Sequence, residues 1–174
     1  MNKMKLLMML LIGIISTQAL QAQEWNQGRS RGGIYTIGVG GTQQIRLGTP
    51  SGLTSLGLAM NVQGEYGIGK FMGLGWQTGV NLYFPRRVTV IEIPIGLKVN
   101  VHILDAANAN VRGLDVFAGI NVGGGPGIYS DGSGVVGLLY VGPQVGLRYW
   151  FNPNVAIFTE FGWGSTFANL GFTF

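Results

Sequence analysis

The chain has 174 residues, of which 10 % are charged and 47 % hydrophobic, with 31 glycines and no cysteine. A soluble domain carries about 25 % charge, so the composition argues against a water-facing globule, and the missing cysteine excludes a disulfide framework or a thiolate metal site. Without Lys3 and Lys5 the net charge of +4 falls to nine basic against seven acidic residues; the basic pairs Arg29/Arg31 and Arg86/Arg87 make no clustered face, so nothing points to nucleic acid.

The first 22 residues have the layout of a secretory signal peptide. Lys3 and Lys5 start it, Leu6 to Ile15 is apolar apart from Gly13, and Ser16 to Ala22 is small and polar, with Ala19 and Ala22 as cleavage candidates. The apolar run is shorter than the roughly 20 residues a membrane helix needs, which weighs against a retained anchor. Residues 23–174 are then one domain. Exported without cysteine, it depends on packing and on backbone hydrogen bonds for stability.

No later stretch is apolar enough for a membrane helix; the signal is alternation. Tyr35, Ile37 and Val39 open it against Thr36, Gly38 and Gly40. Leu56, Leu58, Met60 and Val62 alternate with Gly57, Ala59, Asn61, Gln63 and Glu65. Met72, Leu74, Trp76, Thr78, Val80 and Leu82 alternate with Gly73, Gly75, Gln77, Gly79 and Asn81. Ile91 to Ile103 is clearest, its odd positions apolar and its even positions Glu92, Pro94, Gly96, Lys98, Asn100 and His102. A period of two places successive side chains on opposite faces of a sheet. Leu114 to Val122, Leu139 to Tyr149, Val155 to Trp163 and Phe167 to Phe174 repeat it, giving eight predicted strands. Turn signals separate them at Thr49–Gly52, Gly67–Gly69, Pro85–Arg87, Asp105–Gly113, Gly123–Gly134, Asn152–Asn154 and Gly164–Ser165.

One face of these strands is free of charge and rich in Leu, Ile, Val and aromatics; the other holds Gly, Asn, Gln and a few charges. A soluble, secreted β-sandwich would put the apolar face inside and abundant charge outside. The observed pattern suits the reverse: an all-β, eight-stranded antiparallel up-and-down transmembrane barrel with lipid on the apolar side. Closure pairs every backbone group, as lipid demands. Tyr66, Trp76, Phe84, Tyr149, Phe151, Trp163 and Phe174 are candidates for interfacial aromatic girdles.

Three segments carry a family resemblance: Ile91-Glu92-Ile93-Pro94-Ile95-Gly96-Leu97-Lys98, Tyr149-Trp150-Phe151-Asn152-Pro153-Asn154 and Leu170-Gly171-Phe172-Thr173-Phe174. With them the chain resembles the outer-membrane β-barrel domain proteins, often labelled "porin family", that are common in Bacteroidetes. The resemblance spans nearly all of residues 23–174. It implies a Gram-negative outer-membrane location and no assigned reaction. The ending also looks like the C-terminal signal read by the barrel-assembly machinery, which makes Phe172 and Phe174 candidate assembly residues.

Parity places Glu65, Glu92, Lys98, Asp115, Arg148 and Glu160 in the lumen. Charges in a narrow interior must be paired, and an eight-stranded barrel is just wide enough to be filled by side chains. These six are therefore expected to form a satisfied polar plug; the alternative is a selectivity lining for a narrow porin-like channel for small solutes or ions. Gly73, Gly75, Gly79, Gly119, Gly142, Gly146, Gly162 and Gly171 leave room inside, which Phe71, Tyr83, Phe117, Tyr140, Trp150, Phe158 and Phe167, of the same parity, are expected to cover.

The single histidine, His102, has no second histidine or cysteine to share a metal with, and no motif supports the histidine–serine pair of a lipid-modifying barrel. It reads as a structural polar residue. Gly38–Gly41 and Gly123–Gly127 lack the Lys and Ser/Thr of a phosphate loop, and Ser130–Gly134 offers one Asp, too few oxygens for calcium. Arg86 and Arg87 fall in a surface turn, a candidate contact for lipopolysaccharide phosphates. The sequence thus predicts a non-enzymatic, monomeric outer-membrane barrel without cofactor, whose expected partners are membrane lipid, lipopolysaccharide and the assembly machinery.

Overall fold

The computed structural model describes residues 33–44, 55–84, 88–109, 111, 113–132 and 134–174. The leader segment 1–22 and the pair Arg86/Arg87 lie outside the described residues. The alternating segments form β1 (Gly33–Gln44), β2 (Ser55–Gly67), β3 (Met72–Tyr83), β4 (Val90–Glu92), β5 (Ile95–His102), β6 (Leu114–Tyr129), β7 (Val135–Asn152), β8 (Val155–Gly162) and β9 (Ala168–Thr173). Every neighbouring pair is antiparallel, and β9 returns to β1, with Thr36 opposite Thr173 and Gly41 opposite Ala168.

Nine segments occupy eight positions because β4 and β5 are halves of one strand. Both lie between β3 and β6. Glu92 faces Asn81 and Ile95 faces Thr78, so the register is unchanged across the break. Pro94 has no N–H to give to a ladder, and there the regular bonding lapses; Ile93 N–H still donates to the Pro126 carbonyl at 3.1 Å. The sheet closes as an eight-stranded antiparallel barrel.

Burial along β5 alternates without exception. Leu97 is 58 % exposed, while its neighbour Lys98 is 2 % exposed. Met60, Ile120, Val145, Phe161 and Leu170 also face outward, whereas Asn61, Asn121, Gln144, Glu160 and Asn169 are buried. This inverts the usual distribution, in which large exposed apolar surfaces are rare and buried polar groups few. No helix among the described residues is long and apolar enough to cross a membrane.

Three sequence expectations need correction. The fourth strand stops at His102, and Ile103–Ala106 forms a short helical turn, α1, instead of continuing it. The segment 123–134 is mostly not a loop: the β6–β7 ladder runs on from Gly123 opposite Tyr140 to Ile128 opposite Val135. Its glycines serve close packing, since a Cβ on Gly123 would overlap the Tyr140 hydroxyl and one on Gly125 the Ile93 carbonyl. Finally, Phe71 and Phe167 are exposed and cover no interior gap. Both sit just outside regular strand, where alternation no longer sets direction.

Candidate functional site: the polar lumen

The turns after β2, β5 and β7, together with both ends of the barrel chain, lie at one end, called here the terminal end. The connections after β1, β3, β6 and β8 lie at the other, the loop end. Near the terminal end Ile34, Trp150 and Ala156 form a small buried apolar cluster. The two outermost strands are tied there by Tyr35 and Phe174, whose backbone groups exchange two hydrogen bonds of 3.0 and 2.7 Å. Phe174 thus sits at the closing seam, and Phe172 points outward at 52 % exposure.

Beside that cluster four side chains from β2, β5, β6 and β7 make a closed ring. His102 Nε2 is 2.9 Å from Glu65 Oε1, and its Nδ1 is 2.8 Å from Asp115 Oδ1. Arg148 donates from Nη2 to Glu65 Oε2 at 2.6 Å and from Nη1 to Asp115 Oδ2 at 3.0 Å. Each carboxylate gives one oxygen to the imidazole and the other to the guanidinium. Ionised carboxylates only accept, so both ring nitrogens donate, which is the imidazolium form. Two anions then balance two cations. Phe117 lies against this ring, its centroid 4.3 Å from the Arg148 guanidinium carbon, a cation–π arrangement.

Phe117 fits because residue 146 on the facing strand is glycine: a Cβ there would overlap the phenyl ring. Gly146→Val is therefore expected to displace Phe117 and loosen Arg148, destabilising the barrel by about 1–3 kcal/mol. Urea unfolding in lipid vesicles checks this; an unchanged midpoint would show that the ring has room to move.

Further along the lumen, Lys98 Nζ donates to Glu160 Oε2 at 2.6 Å and to Gln63 Oε1 at 2.8 Å. Gln63 passes the chain to Asn61, which also accepts from Asn169 at 2.9 Å. On the opposite wall Asn121 donates to Gln144, and Gln144 to Asn100. Three buried amide atoms in this region have no partner among the described residues: Asn61 Nδ2, Asn121 Oδ1 and Asn169 Oδ1.

At the loop end Glu92 Oε2 accepts from the Tyr83 hydroxyl at 2.6 Å and from Asn81 Nδ2 at 3.0 Å. The β8–β9 connection folds over this group. Its Ser165 carbonyl accepts from Thr42 at 2.7 Å and from Asn81 at 2.9 Å, and Ser165 and Thr166 are buried. Gly164, at φ +150°, makes the inward bend; a Cβ there would also overlap the Asn121 amide. Tyr140 reaches in from β7 to accept from Gln77 at 3.0 Å.

Of the six charged residues assigned to the lumen by parity, five lie in two separate groups: Glu65, Asp115 and Arg148 in the ring, Lys98 and Glu160 in a pair. Glu92 stands apart from both. His102 belongs to the ring, with both nitrogens occupied by carboxylates, a role that its isolation in the sequence did not suggest. The amides midway along the lumen were legible as inward positions, but apart from Gln63 and Asn61, two residues apart on β2, their partners lie 23 to 108 residues away, beyond what alternation can pair. Ser165 had no signal, because it folds inward from a turn.

No protein-family model matches the sequence, and neither does any curated protein. Solved structures do match. Neisserial surface protein A (NspA) is similar at 10 % identity, over 81 % of this chain and 93 % of that one, with a TM-score of 0.59. The N-terminal β-barrel domain of OprF from Pseudomonas aeruginosa is similar at 15 % identity, over 84 % of this chain and 98 % of that one, with a TM-score of 0.53. At such identities the likeness is one of fold, that of the eight-stranded outer-membrane barrels.

Proposed function

We propose that this chain is a non-enzymatic barrel of the bacterial outer membrane with a closed lumen, acting as a structural or interaction protein. The observation that carries the reading is the pairing of the lumen charges across the barrel: a ring of buried Glu65, His102 and Arg148 closed by half-buried Asp115, and a buried Lys98–Glu160 pair. Side chains held in this way fill the bore instead of lining it. The apolar exterior supports a lipid surrounding. The Bacteroidetes-type "porin family" is the family that the Ile91–Lys98, Tyr149–Asn154 and Leu170–Phe174 segments favour. In this reading residues 1–22 direct export, Phe172 and Phe174 are read by the assembly machinery, the barrel is a monomer with its loop end outward, and Arg86 and Arg87 contact lipopolysaccharide phosphates.

Liposome swelling tests the closed lumen. Vesicles carrying folded protein are expected to swell no faster in small sugars than empty vesicles; swelling that scales with protein would refute it. The lipid surrounding has its own test. Val99 faces outward at mid-strand on β5, and Val99→Arg is expected to destabilise the barrel by about 2–4 kcal/mol, the midplane value for arginine on a lipid face. A neutral result in vesicle unfolding would place Val99 outside the hydrocarbon.

One observation favours a narrow channel as the second reading. The unpartnered Asn61, Asn121 and Asn169 atoms are buried polar groups of the kind that internal water satisfies. A linked file of such waters would make the lumen a thin conduit for small solutes or ions.

A further inference from the structure

The rim of the barrel is uneven at the loop end. β8 stops at Gly162 and β9 starts at Ala168, whereas β7 stays paired with β6 as far as Val135, opposite Ile128. On the far side of the gap β1 runs on past Gly41 to Gln44 beside β2. The last rung between β7 and β8 is the Trp163 N–H to the Pro143 carbonyl at 2.8 Å; beyond it Gly164, at φ +150°, turns the chain inward. From Val135 to Val141, β7 therefore has a described neighbour on one side only.

The ladder fixes which backbone groups are left over. In an antiparallel pair, alternate residues turn their N–H and C=O groups to opposite sides of the strand. The Gly134 carbonyl accepts from Tyr129 at the end of β6, and the Pro143 carbonyl accepts from Trp163 after β8. Even-numbered residues of this segment thus bond to β6, and odd-numbered ones turn to the β8 side. The N–H and C=O groups of Val135, Gly137, Leu139 and Val141 line an open edge, and no described residue bonds to them. Natural edges are blunted by lysine, inward charge, bulges or short length. This edge has none of these: Val135, Leu139 and Val141 are 69, 93 and 71 % exposed, and the one charge between Gly123 and Gln144 is Asp131, in the turn.

We infer that the β7 edge from Val135 to Val141 is a docking site for one extended, uncharged segment of a partner protein, which pairs antiparallel to β7 and prolongs the line of β8. Backbone N–H and C=O groups carry opposite partial charges, and their alternation along an edge is complementary to another extended backbone. The site continues an interface that the barrel already uses, because Trp163 and Pro143 form its first rung. The segment's outward side chains flank Leu139 and Val141, so apolar residues fit there and charged ones do not. The inference gives the interaction role a class of partner and stands whether or not the lumen conducts.

The test is amide hydrogen exchange, read residue by residue by NMR on the folded full barrel in detergent. In the free barrel the amides of Gly137, Leu139 and Val141 are expected to exchange fast, and those of Leu138 and Tyr140, bonded to β6, slowly. The probe is a synthetic peptide of alternating valine and threonine, long enough to span Val135–Val141. It is expected to slow the three fast amides saturably, while the same peptide N-methylated at alternate residues, which lacks the donors, does not. Leu139→Pro removes an N–H that β6 does not use, a position where proline is tolerated, and is expected to abolish the peptide's effect. Fast amides that the peptide leaves unchanged would overturn the inference, as would equal protection by the N-methylated peptide. Slow exchange in the free barrel would also overturn it: independent of protein concentration, it assigns the edge to the chain's own residues, and rising with concentration, to a second copy. If Leu139→Pro fails to fold, the comparison of the two peptides on the parent chain decides alone.

Discussion

Arg148→Ala is expected to be among the most damaging single substitutions in the barrel, destabilising it by about 3–5 kcal/mol, the usual consequence of removing one partner from a buried ion pair. The argument is geometric. Arg148 bridges Glu65 and Asp115 with separate nitrogens, at 2.6 and 3.0 Å, and is 2 % exposed. Removing it leaves two carboxylates sharing one imidazolium, with an excess negative charge in the bore. It also strips the guanidinium from the Phe117 face. Arg148→Lys restores the charge but not the planar fork that spans two carboxylates, so partial recovery is expected. Urea unfolding in lipid vesicles, followed by tryptophan fluorescence, reads both variants. A loss below about 1 kcal/mol for Arg148→Ala, the range of exposed ion pairs, would mean that the ring is open to water.

The Lys98–Glu160 pair makes a second strong test, because the two single variants and the double variant are expected to diverge. Lys98→Met strands Glu160, and Glu160→Met strands Lys98; each is expected to lose about 3–5 kcal/mol. In the double variant no charge is stranded. Replacing a buried pair by apolar residues of similar volume is often neutral or better, so much of the loss should return, although Gln63 then lacks the donor it has in Lys98. The double-mutant cycle isolates the coupling. Additive losses, with the double variant worst, would show that the two groups are solvated separately and that the bore is wet at its middle.

How much of this was legible beforehand depends on the element. Strand existence and facing came from period-two alternation, which needs only local sequence. Ile91 to Ile103 carried it so clearly that Glu92, Lys98, Asn100 and His102 were placed inside without any structure. Glycine misled in one place: Gly123-Gly124-Gly125-Pro126-Gly127 has the composition of a loop, yet it is ladder, because the neighbouring strands and Tyr140 come too close for side chains. Proline was ambiguous in the same way. Pro94 interrupts hydrogen bonding without shifting register, so the predicted strand persists as two segments.

The pairings were out of reach for a different reason. Parity says that Glu65, His102, Asp115 and Arg148 face inward, but which of them meet depends on strand stagger around the closed barrel. Register across four interfaces brings Glu65 beside Arg148, 83 residues later. Nor does parity reveal that Glu92 lies too far toward the loop end to share a cation with the others. The inward fold of Ser165 depends on the Gly164 backbone and on the Thr42 and Asn81 side chains that receive it.

Single-channel recording in a planar bilayer tests the closed lumen most directly, with heat-modifiable gel migration first establishing that the protein is folded. A bore filled by the ring and by the Lys98–Glu160 pair should give a silent bilayer, at both polarities and in both sodium and potassium chloride. Steady, reproducible openings from folded protein, altered when Lys98 or Arg148 is neutralised, would contradict the filled lumen and make the barrel a narrow conduit.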